Sequence, residues 1–158
     1  MDTPLRTGVI RAGQHDIPSM QIGDVAERTG LSLRTIRYYE EAGLVAPSTR
    51  TNGGFRLYSE SDCRRLEIVR RVKPLGFSLD EVRDLLDTLD RLDTIDPAEE
   101  PETAAVLGER LARFCSSSED RCEELRAKLN EATAVTEMLR SLHKLYESES
   151  AASGARKR

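Results

Sequence analysis

The segment RTIRYYEE contains side chains that could bind an anion or the edge of a nucleic-acid base. A spacing of three and four residues puts Arg34, Arg37 and Tyr38 on one face of a helix. Leu33 and Ile36 point to another face. A guanidinium can bind guanine through two hydrogen bonds, and arginine and tyrosine both suit phosphate oxygens. The same pattern is also that of an ordinary amphipathic helix with a solvated arginine face and core tyrosines.

Two cysteines, Cys115 and Cys122 in CSSSEDRC, could bind a metal ion or form a disulfide. On one continuous helix, residues seven apart are separated by about 10.5 Å along the axis, whereas the Cα atoms of a disulfide lie within about 7 Å. The two thiols therefore cannot bond to each other or share one tetrahedral metal in an intact helix. Ser116 and Ser117 each begin a capping-box pattern, and a helix that began afresh near residue 118 would free Cys115 to approach another thiol.

The composition indicates a helix-rich protein that works inside the cell. Of the 158 residues, 38% are hydrophobic and 33% charged, with three cysteines and no Trp. No apolar run approaches the roughly 18 residues that cross a bilayer, and the start of the chain lacks the apolar core of a signal peptide. We therefore expect a cytoplasmic protein with reduced thiols and no membrane association.

The net charge of −4 hides an uneven distribution. Residues 20–77 carry ten Lys/Arg against seven Asp/Glu, a balance of +3, whereas residues 78–110 carry three against eleven, a balance of −8. The basic excess is therefore confined to the part of the chain that contains the arginine and tyrosine face. It is a weak indication by itself, since many surfaces that bind nothing carry a small positive charge.

Start and stop signals predict two short helices joined by a tight turn. The first covers residues 24–29 and ends at Gly30. The second begins after Ser32, a favourable N-cap, and ends near Gly43. Two helices joined by a glycine-containing turn are typical of a helix-turn-helix.

The segment TNGGFRLY, residues 51–58, predicts a small β-hairpin, which we call the wing. Its Asn-Gly-Gly cluster supplies turn residues, and the alternation that follows sends Phe55 and Leu57 to one face. Arg56 and Tyr58 lie on the other face, which would be available for an external contact.

A second helix pair follows the wing. Its first helix begins at Ser59 and ends near Gly76, and its second begins at the capping box of Ser78. Residues 90–103 are acidic and contain two prolines, so they predict a linker.

Residues 104–147 predict one long helix, since they contain no proline and carry a heptad seam. Such a helix is expected to pair with its equivalent in a second subunit. Residues 1–19 and 148–158 lack periodicity and predict a disordered leader and tail. The seam residues are Cys115, Ser118, Cys122, Leu125, Leu129, Ala132, Thr136, Leu139, His143 and Tyr146.

Residues 20–89 as a whole strongly resemble the DNA-binding domain of the MerR family of bacterial transcription regulators. The motifs that carry the resemblance are IGDVAERTGLS, the helix IRYYEEAGL, the wing triplet RLY and the corner LGFSLDEV, at the family's intervals. The resemblance implies a mainly α fold, with a winged helix-turn-helix and a second helix pair followed by a long dimerisation helix in an antiparallel coiled coil. It also implies double-stranded promoter DNA and RNA polymerase as partners.

Carried over position by position, the resemblance implies DNA contacts from the recognition helix, the wing and the second helix pair. One departure from the family is Pro74, which biases the backbone of the residue before it away from the α region. The implied contact residues are Arg34, Arg37, Tyr38 and Tyr39 in the recognition helix, Arg56 in the wing and Lys73 in the second pair.

An antiparallel partner would bring the start of one seam to the end of the other, so that His143 of one subunit could face Cys115 or Cys122 of its mate. Three interpretations stay open: a thiol or metal site between subunits, a redox switch, and thiols that only pack the seam. Three cysteines exclude a four-thiol cluster within one subunit. We predict no particular cofactor, metal or effector.

We therefore expect a homodimeric regulator that binds a two-fold promoter site and alters transcription by distorting the DNA. No nucleophile–base pair, Gly-rich phosphate loop or pair of catalytic carboxylates stands out, so we do not expect an enzyme. The alternative is a coiled-coil architectural or interaction protein that uses the winged module only to attach to DNA.

Overall fold

The computed structural model describes residues 20–51 and 53–155, with side chains up to residue 148. The predicted leader, residues 1–19, lies outside the described residues, as do the last three residues of the predicted tail. Within the described part, no helix is both long enough and apolar enough to cross a membrane.

The chain divides into two compact units, Met1–Ser116 and Ser117–Arg158. The first unit opens with strand β1 (Met20–Gln21), helix α1 (Ile22–Thr29) and helix α2 (Leu33–Glu41). These two helices confirm the predicted helix-turn-helix.

The turn between α1 and α2 depends on two local signals. Gly30 has a φ of 68°, a left-handed value at which a side chain would be strained. The Ser32 hydroxyl accepts a hydrogen bond from Thr35 N at 3.1 Å and so satisfies one of the free N–H groups at the start of α2. The geometry of the turn between α1 and α2 is therefore determined by a few local residues.

The wing consists of strands β2 (Thr49–Arg50) and β3 (Arg56–Tyr58). β3 is the central strand of a three-stranded antiparallel sheet, with β1 on one side and β2 on the other. The predicted hairpin is confirmed, but β1 was missed because two residues are too few to show an alternating pattern.

The predicted orientation of the wing was wrong. Tyr58, expected on an available polar face, has no exposed surface, and its hydroxyl donates to a Glu40 carboxylate oxygen. Arg56 is half-buried, with its Nε 3.0 Å from the other oxygen of Glu40. Phe55, expected inward, is 66% exposed. The reason is that the central strand packs the Tyr58 ring into the core, and Glu40 accepts the hydrogen bond of the buried Tyr58 hydroxyl.

The second helix pair consists of α3 (Glu60–Val72) and α4 (Leu79–Thr94), joined by a short 3-10 helix at Lys73–Leu75. Both predicted caps are present, since Ser59 and Ser78 each accept a hydrogen bond from the backbone N–H three residues on.

The acidic connection is shorter than predicted. The sequence indicated a linker at 90–103, but α4 continues to Thr94 and helix α5 begins at Pro101, so the connection is residues 95–100. Proline is tolerated in the first turn of a helix because the N–H that it lacks is not needed there. Ile95 and Leu107 are 8% and 5% exposed, and their burial favours the compact connection.

One hydrophobic core joins the helix-turn-helix to the wing and the second helix pair. Two arginines strengthen the junction by donating to backbone carbonyls near the end of α2: Arg65 Nε to Leu44 O at 3.0 Å and Arg83 Nη2 to Ala42 O at 2.7 Å. The buried core residues are Val25, Ile36, Tyr39, Leu44, Val45, Tyr58, Cys63, Leu66, Val69, Val82 and Leu86.

Helix α5 (Pro101–Ala155) is continuous, so the restart near residue 118 that the capping-box patterns left open does not occur. Serine is only mildly unfavourable inside a helix, and the surrounding Glu, Arg, Leu and Lys residues favour helix. The helix also continues past its predicted end at residue 147, into the segment expected to be a disordered tail. Glutamate and alanine, which are strong helix formers, occur throughout that segment.

Tyr58→Phe is expected to lower the free energy of unfolding by about 1–3 kcal/mol, since the ring stays and a hydrogen bond to a carboxylate is lost. Burial, and then the bond to Glu40, raises the pKa of the Tyr58 phenol. The Tyr58 hydroxyl therefore contributes fully to the free energy of unfolding below the pKa of about 10 that tyrosine has in the unfolded chain. This contribution declines as the pH rises further. Urea titrations at about pH 7 and pH 10.5 measure both effects.

The matched control is Tyr38→Phe, because Tyr38 is 51% exposed. This control should change the free energy of unfolding by less than about 0.5 kcal/mol. If wild type and Tyr58→Phe lost stability in parallel above pH 10, the Tyr58 phenol would not be held as described.

Candidate nucleic-acid interface

Helix α2 presents its polar face because its apolar face is buried. Ile36 has no exposed surface and Tyr39 is 5% exposed, so both anchor the helix in the core. Arg34, Arg37 and Tyr38 are exposed on the other side. The three side chains that the sequence placed together therefore share one accessible surface.

Tyr39 is much more deeply buried than these three side chains. Its burial raises the pKa of its phenol, and its ring centroid lies 5.5 Å from that of Tyr38. Tyr39 is 5% exposed and still lines one groove with Arg34 and Tyr38, so its contact with DNA stays a prediction. Its place is to support the ring of Tyr38, since a tilted aromatic pair at this separation is favourable.

Lys73 lies beside α2, although it is 39 positions from Arg34 in the chain. One groove is lined by Arg34, Tyr38 and Lys73, with Val69 and Val82 among its apolar residues. The groove therefore joins the polar face of α2 to the end of α3. An anion in the groove would meet two cations and a phenol hydroxyl.

The backbone of Lys73 is helical, with φ −51° and ψ −44°, so the expected bias away from the α region before Pro74 did not prevail. That bias is a preference and not a prohibition. Here Lys73 opens the 3-10 turn, and Gly76 N closes it by donating to Lys73 O at 3.1 Å. The turn directs the chain from α3 into α4.

The arginines and the lysine of this surface lack carboxylate partners. Within residues 20–51 and 53–148, Arg34, Arg37 and Lys73 form no ion pair. Six other arginines of the first unit are paired with carboxylates, whereas within the described residues Arg50, Arg64, Arg70, Arg71 and Arg113 form no ion pair. The paired arginines are Arg28, Arg56, Arg65, Arg83, Arg91 and Arg110.

The wing arginine implied by the resemblance, Arg56, is thus engaged by Glu40. Sequence reasoning missed a second wing arginine, Arg50, which is exposed on β2 directly opposite Arg56. Drawing the register of the predicted hairpin would have found it. It also missed Arg70, whose Nη1 lies 3.8 Å from the position that a Cβ on Gly30 would occupy. Nothing in the sequence pattern connects α3 with that turn.

The residues predicted for sensing lie on α5. Cys115 is exposed and Cys122 half-buried, and neither forms a disulfide. His143 is exposed, with Nε2 3.5 Å from Glu147 Oε1. Because α5 is continuous through CSSSEDRC, the separation of about 10.5 Å along an intact helix applies to the two thiols. In the part of the chain that the structure describes, no three His, Cys, Asp or Glu residues are arranged to hold a metal ion.

Comparisons with known proteins agree on one segment of the chain. Residues 20–89 match the family model of MerR HTH family regulatory proteins. The HTH-type transcriptional regulator YfmP of Bacillus subtilis is 53% identical over 70 residues, which cover 44% of this chain and 50% of that protein. The HTH-type transcriptional regulator ZntR of Escherichia coli is 47% identical over 66 residues, covering 42% and 47%. The chain spans about half the length of the curated relatives it matches.

Solved structures extend the likeness of fold beyond this segment. A Listeria monocytogenes protein assigned to the MerR family aligns with a TM-score of 0.54 and 26% identity, over 72% of this chain and 80% of its own. HiNmlR, a MerR family regulator lacking the sensor domain and bound to promoter DNA, aligns with a TM-score of 0.51 and 22% identity, over 83% and 92%.

The family model and the curated relatives therefore agree with the observed helix-turn-helix, which in this chain is followed by the wing and a second helix pair. The relatives named here are transcription regulators. Residues 20–89 therefore form a helix-turn-helix domain of the MerR family of transcription regulators.

Proposed function

We propose that the protein is a homodimeric regulator that binds a two-fold promoter site and alters transcription by distorting the DNA. The proposal rests on the surface formed by α2 and Lys73. Within the described residues, Arg34, Arg37 and Lys73 on this surface form no ion pair with a carboxylate. Such cations attract the phosphate backbone of DNA and release its counterions. The proposal places the protein in the cytoplasm, with the promoter DNA of a bacterial cell.

In this proposal α2 enters the major groove. Arg34 lies in the first turn of α2, where recognition helices meet base edges, and its guanidinium suits the O6 and N7 atoms of guanine. Arg37 and the Tyr38 hydroxyl suit phosphate oxygens, and Lys73 suits a phosphate that approaches the groove beside α2. Arg34 thus specifies the sequence, and the other three position the protein.

The exposed apolar residues of α5 support the dimer. Large apolar side chains in the second unit, mostly spaced by three and four, are 42–66% exposed. Such a stripe is stabilised when a partner covers it, and a second copy supplies a matching stripe. The exposed residues are Leu125, Leu129, Val135, Met138, Leu139, Leu142 and Leu145.

Charge along α5 favours the antiparallel arrangement that the family implies. Residues 119–124 contain four acidic residues and one arginine, whereas residues 138–144 contain Arg140 and Lys144 and no acidic residue. An antiparallel partner brings the acidic stretch of one helix towards the basic stretch of the other, and flanking charges of this kind set the orientation of coiled coils. The two DNA-binding domains would then be related by a two-fold axis, as a palindromic site requires.

Distortion of the promoter would come from binding two half-sites at once. Bending or untwisting DNA costs energy that depends on the sequence, and phosphate contacts on both half-sites offset that cost. RNA polymerase is the partner that responds to the altered spacing of the promoter elements. The alternative, an architectural protein that only attaches to DNA, uses the same surface and differs in its effect on transcription.

An in vitro transcription assay on promoters with normal and lengthened spacers tests the regulator. The expected result is that the protein changes transcript yield on the long-spacer promoter carrying its site and has little effect when the site is scrambled. Unchanged transcription on every spacer, with binding to the site intact, would favour the architectural alternative.

Arg34→Ala is expected to weaken specific binding by about 1–3 kcal/mol and to relax the base preference at the guanine it contacts. Fluorescence anisotropy with the selected site and with single-base variants measures both effects. The control is Arg91→Ala, which removes an arginine paired with Glu100 at 2.9 Å and should leave DNA affinity unchanged. An unaltered base preference in Arg34→Ala would refute the assignment of Arg34 to base contact.

Leu139→Glu should raise the dissociation constant of the dimer by at least about a hundredfold, because two leucines per dimer lose their apolar burial and two charges replace them. Ser141→Glu adds the same charge two positions on, off the seam, and should have a much smaller effect. Sedimentation equilibrium measures both variants. Equal effects of the two substitutions would argue against a seam through Leu139.

A further inference from the structure

The groove lined by Arg34, Tyr38 and Lys73 is large enough for a small molecule. Its volume is about 400 Å³, and small-molecule sites typically span roughly 300–1,000 Å³. Its lining comes from α2, the end of α3, the turn that follows and the start of α4, so it lies at the junction of the helix-turn-helix and the second helix pair.

The floor of the groove is apolar and preformed. Leu44 has no exposed surface, and Val69 and Val82 are 3% and 5% exposed. All three belong to the core that joins the two helix pairs. Because core residues hold the floor, the shape of the groove does not depend on a ligand.

The walls of the groove offer apolar surface to a ligand. Leu79 is 36% exposed, Tyr38 is 51% exposed, and Phe77 is half-buried. The ring of Phe77 makes an edge-to-face contact with the ring of Phe114, with 6.2 Å between their centroids. Apolar surface of this kind is stabilised when an apolar body covers it, and aromatic walls favour an aromatic body.

Two cations line the same groove. Within the described residues, Arg34 and Lys73 form no ion pair with a carboxylate. The planar guanidinium of arginine matches the geometry of a carboxylate, and the ammonium of lysine adds further donors. A DNA phosphate can use these cations, but its hydrated oxygens cover no apolar wall. The groove as a whole therefore fits a ligand with one anionic end and an apolar body.

We propose that this groove binds a small aromatic carboxylate, and that the ligand competes with DNA for Arg34 and Lys73. The carboxylate is bound by the two cations, and the ring covers Leu79 and Phe77. A bound ligand occupies donors that the base and phosphate contacts need, and it adds a negative charge to the surface. The ligand site goes beyond the proposed function, whereas its effect on DNA binding rests on that function.

Methyl NMR of the full chain without DNA tests the site, with naphthalene-2-carboxylate as the probe. The methyl resonances of Val69, Leu79 and Val82 should shift on titration. Neutral naphthalene-2-carboxamide should bind at least about tenfold more weakly, because it lacks the charge that strengthens the hydrogen bonds. The proposal fails if no resonance shifts, if only the exposed leucines of α5 respond, or if both probes bind equally well.

Lys73→Ala separates the charge contact from the apolar contact. This variant should bind the carboxylate about tenfold more weakly and the carboxamide as well as the wild type does. Lys73→Arg should recover most of the lost affinity. The matched control is Arg71→Ala, which removes an exposed positive charge outside the groove and should alter neither probe. Equal losses in Lys73→Ala and Arg71→Ala would reveal a general charge effect and overturn the assignment.

Fluorescence anisotropy measures the competition, with a duplex selected from random DNA by the wild-type protein. When the probe is at about ten times its dissociation constant, the apparent dissociation constant for the duplex should rise about elevenfold. Sodium acetate at the same concentration is the control for salt, since it carries the charge without the ring. A probe that fills the groove and leaves DNA affinity unchanged would contradict the competition.

The outcomes for the ligand site and for the proposed function are distinguishable. A protein that binds its selected duplex but neither probe refutes this inference and leaves the proposed function intact. A protein that binds no duplex at low salt refutes the proposed function and the competition, and the NMR titration still decides the ligand site.

Discussion

The carboxylate of Glu40 is the constraint on which the DNA-binding surface depends. It lies near the end of α2, is largely buried, and binds two residues of the central strand of the wing, Arg56 and Tyr58. A buried charge is tolerated only where it is paired and hydrogen-bonded, so helix and wing cannot separate without exposing or orphaning it. The recognition helix and the wing therefore behave as one piece, with their spacing set inside the protein before any ligand arrives.

The electrostatic potential at the surface of the first unit depends on which of its cations are paired with carboxylates. Arg65 is 3.2 Å from Asp87 and also pairs with Asp90, while Arg110 pairs with Asp84, so the acidic stretch that dominates the net charge is partly neutralised within the protein. Among the described residues, the cations without carboxylate partners include Arg34 and Arg37 on α2, Lys73 after α3 and Arg50 on the wing. The local field, and not the overall charge of −4, decides which partner this surface attracts.

The sequence of helix α5 specifies its packing less strongly than the sequence of the preceding domain does. Its seam mixes leucines with Cys115, Ser118 and Cys122, small or weakly polar residues that contribute little apolar area. A seam of this kind gives a helix a preferred side without a strongly stabilised pairing. In the proposed dimer, the two thiols would lie at the end of the seam that contributes the least apolar area.

Local signals were sufficient for the two helix pairs. Gly30 and Ser32 determine the helix-turn-helix, and the caps at Ser59 and Ser78 determine the second pair, because each acts on backbone atoms a few residues away. Contacts between distant residues were decided only by the tertiary structure.

The spacing of Glu40, Arg56 and Tyr58 in the sequence does not predict that these residues are in contact. The alternating pattern of the wing led to the wrong prediction of its exposed face, because alternation separates two faces of a strand without showing which of them is buried. Lys73 and Arg34 likewise line one groove only because the core brings together residues that are far apart in the chain. The sequence by itself thus determined the two helix pairs, the hairpin and the resemblance to the family. Packing decided which arginines are engaged within the protein and which stay available to a partner, because pairing depends on the buried surroundings of each charge.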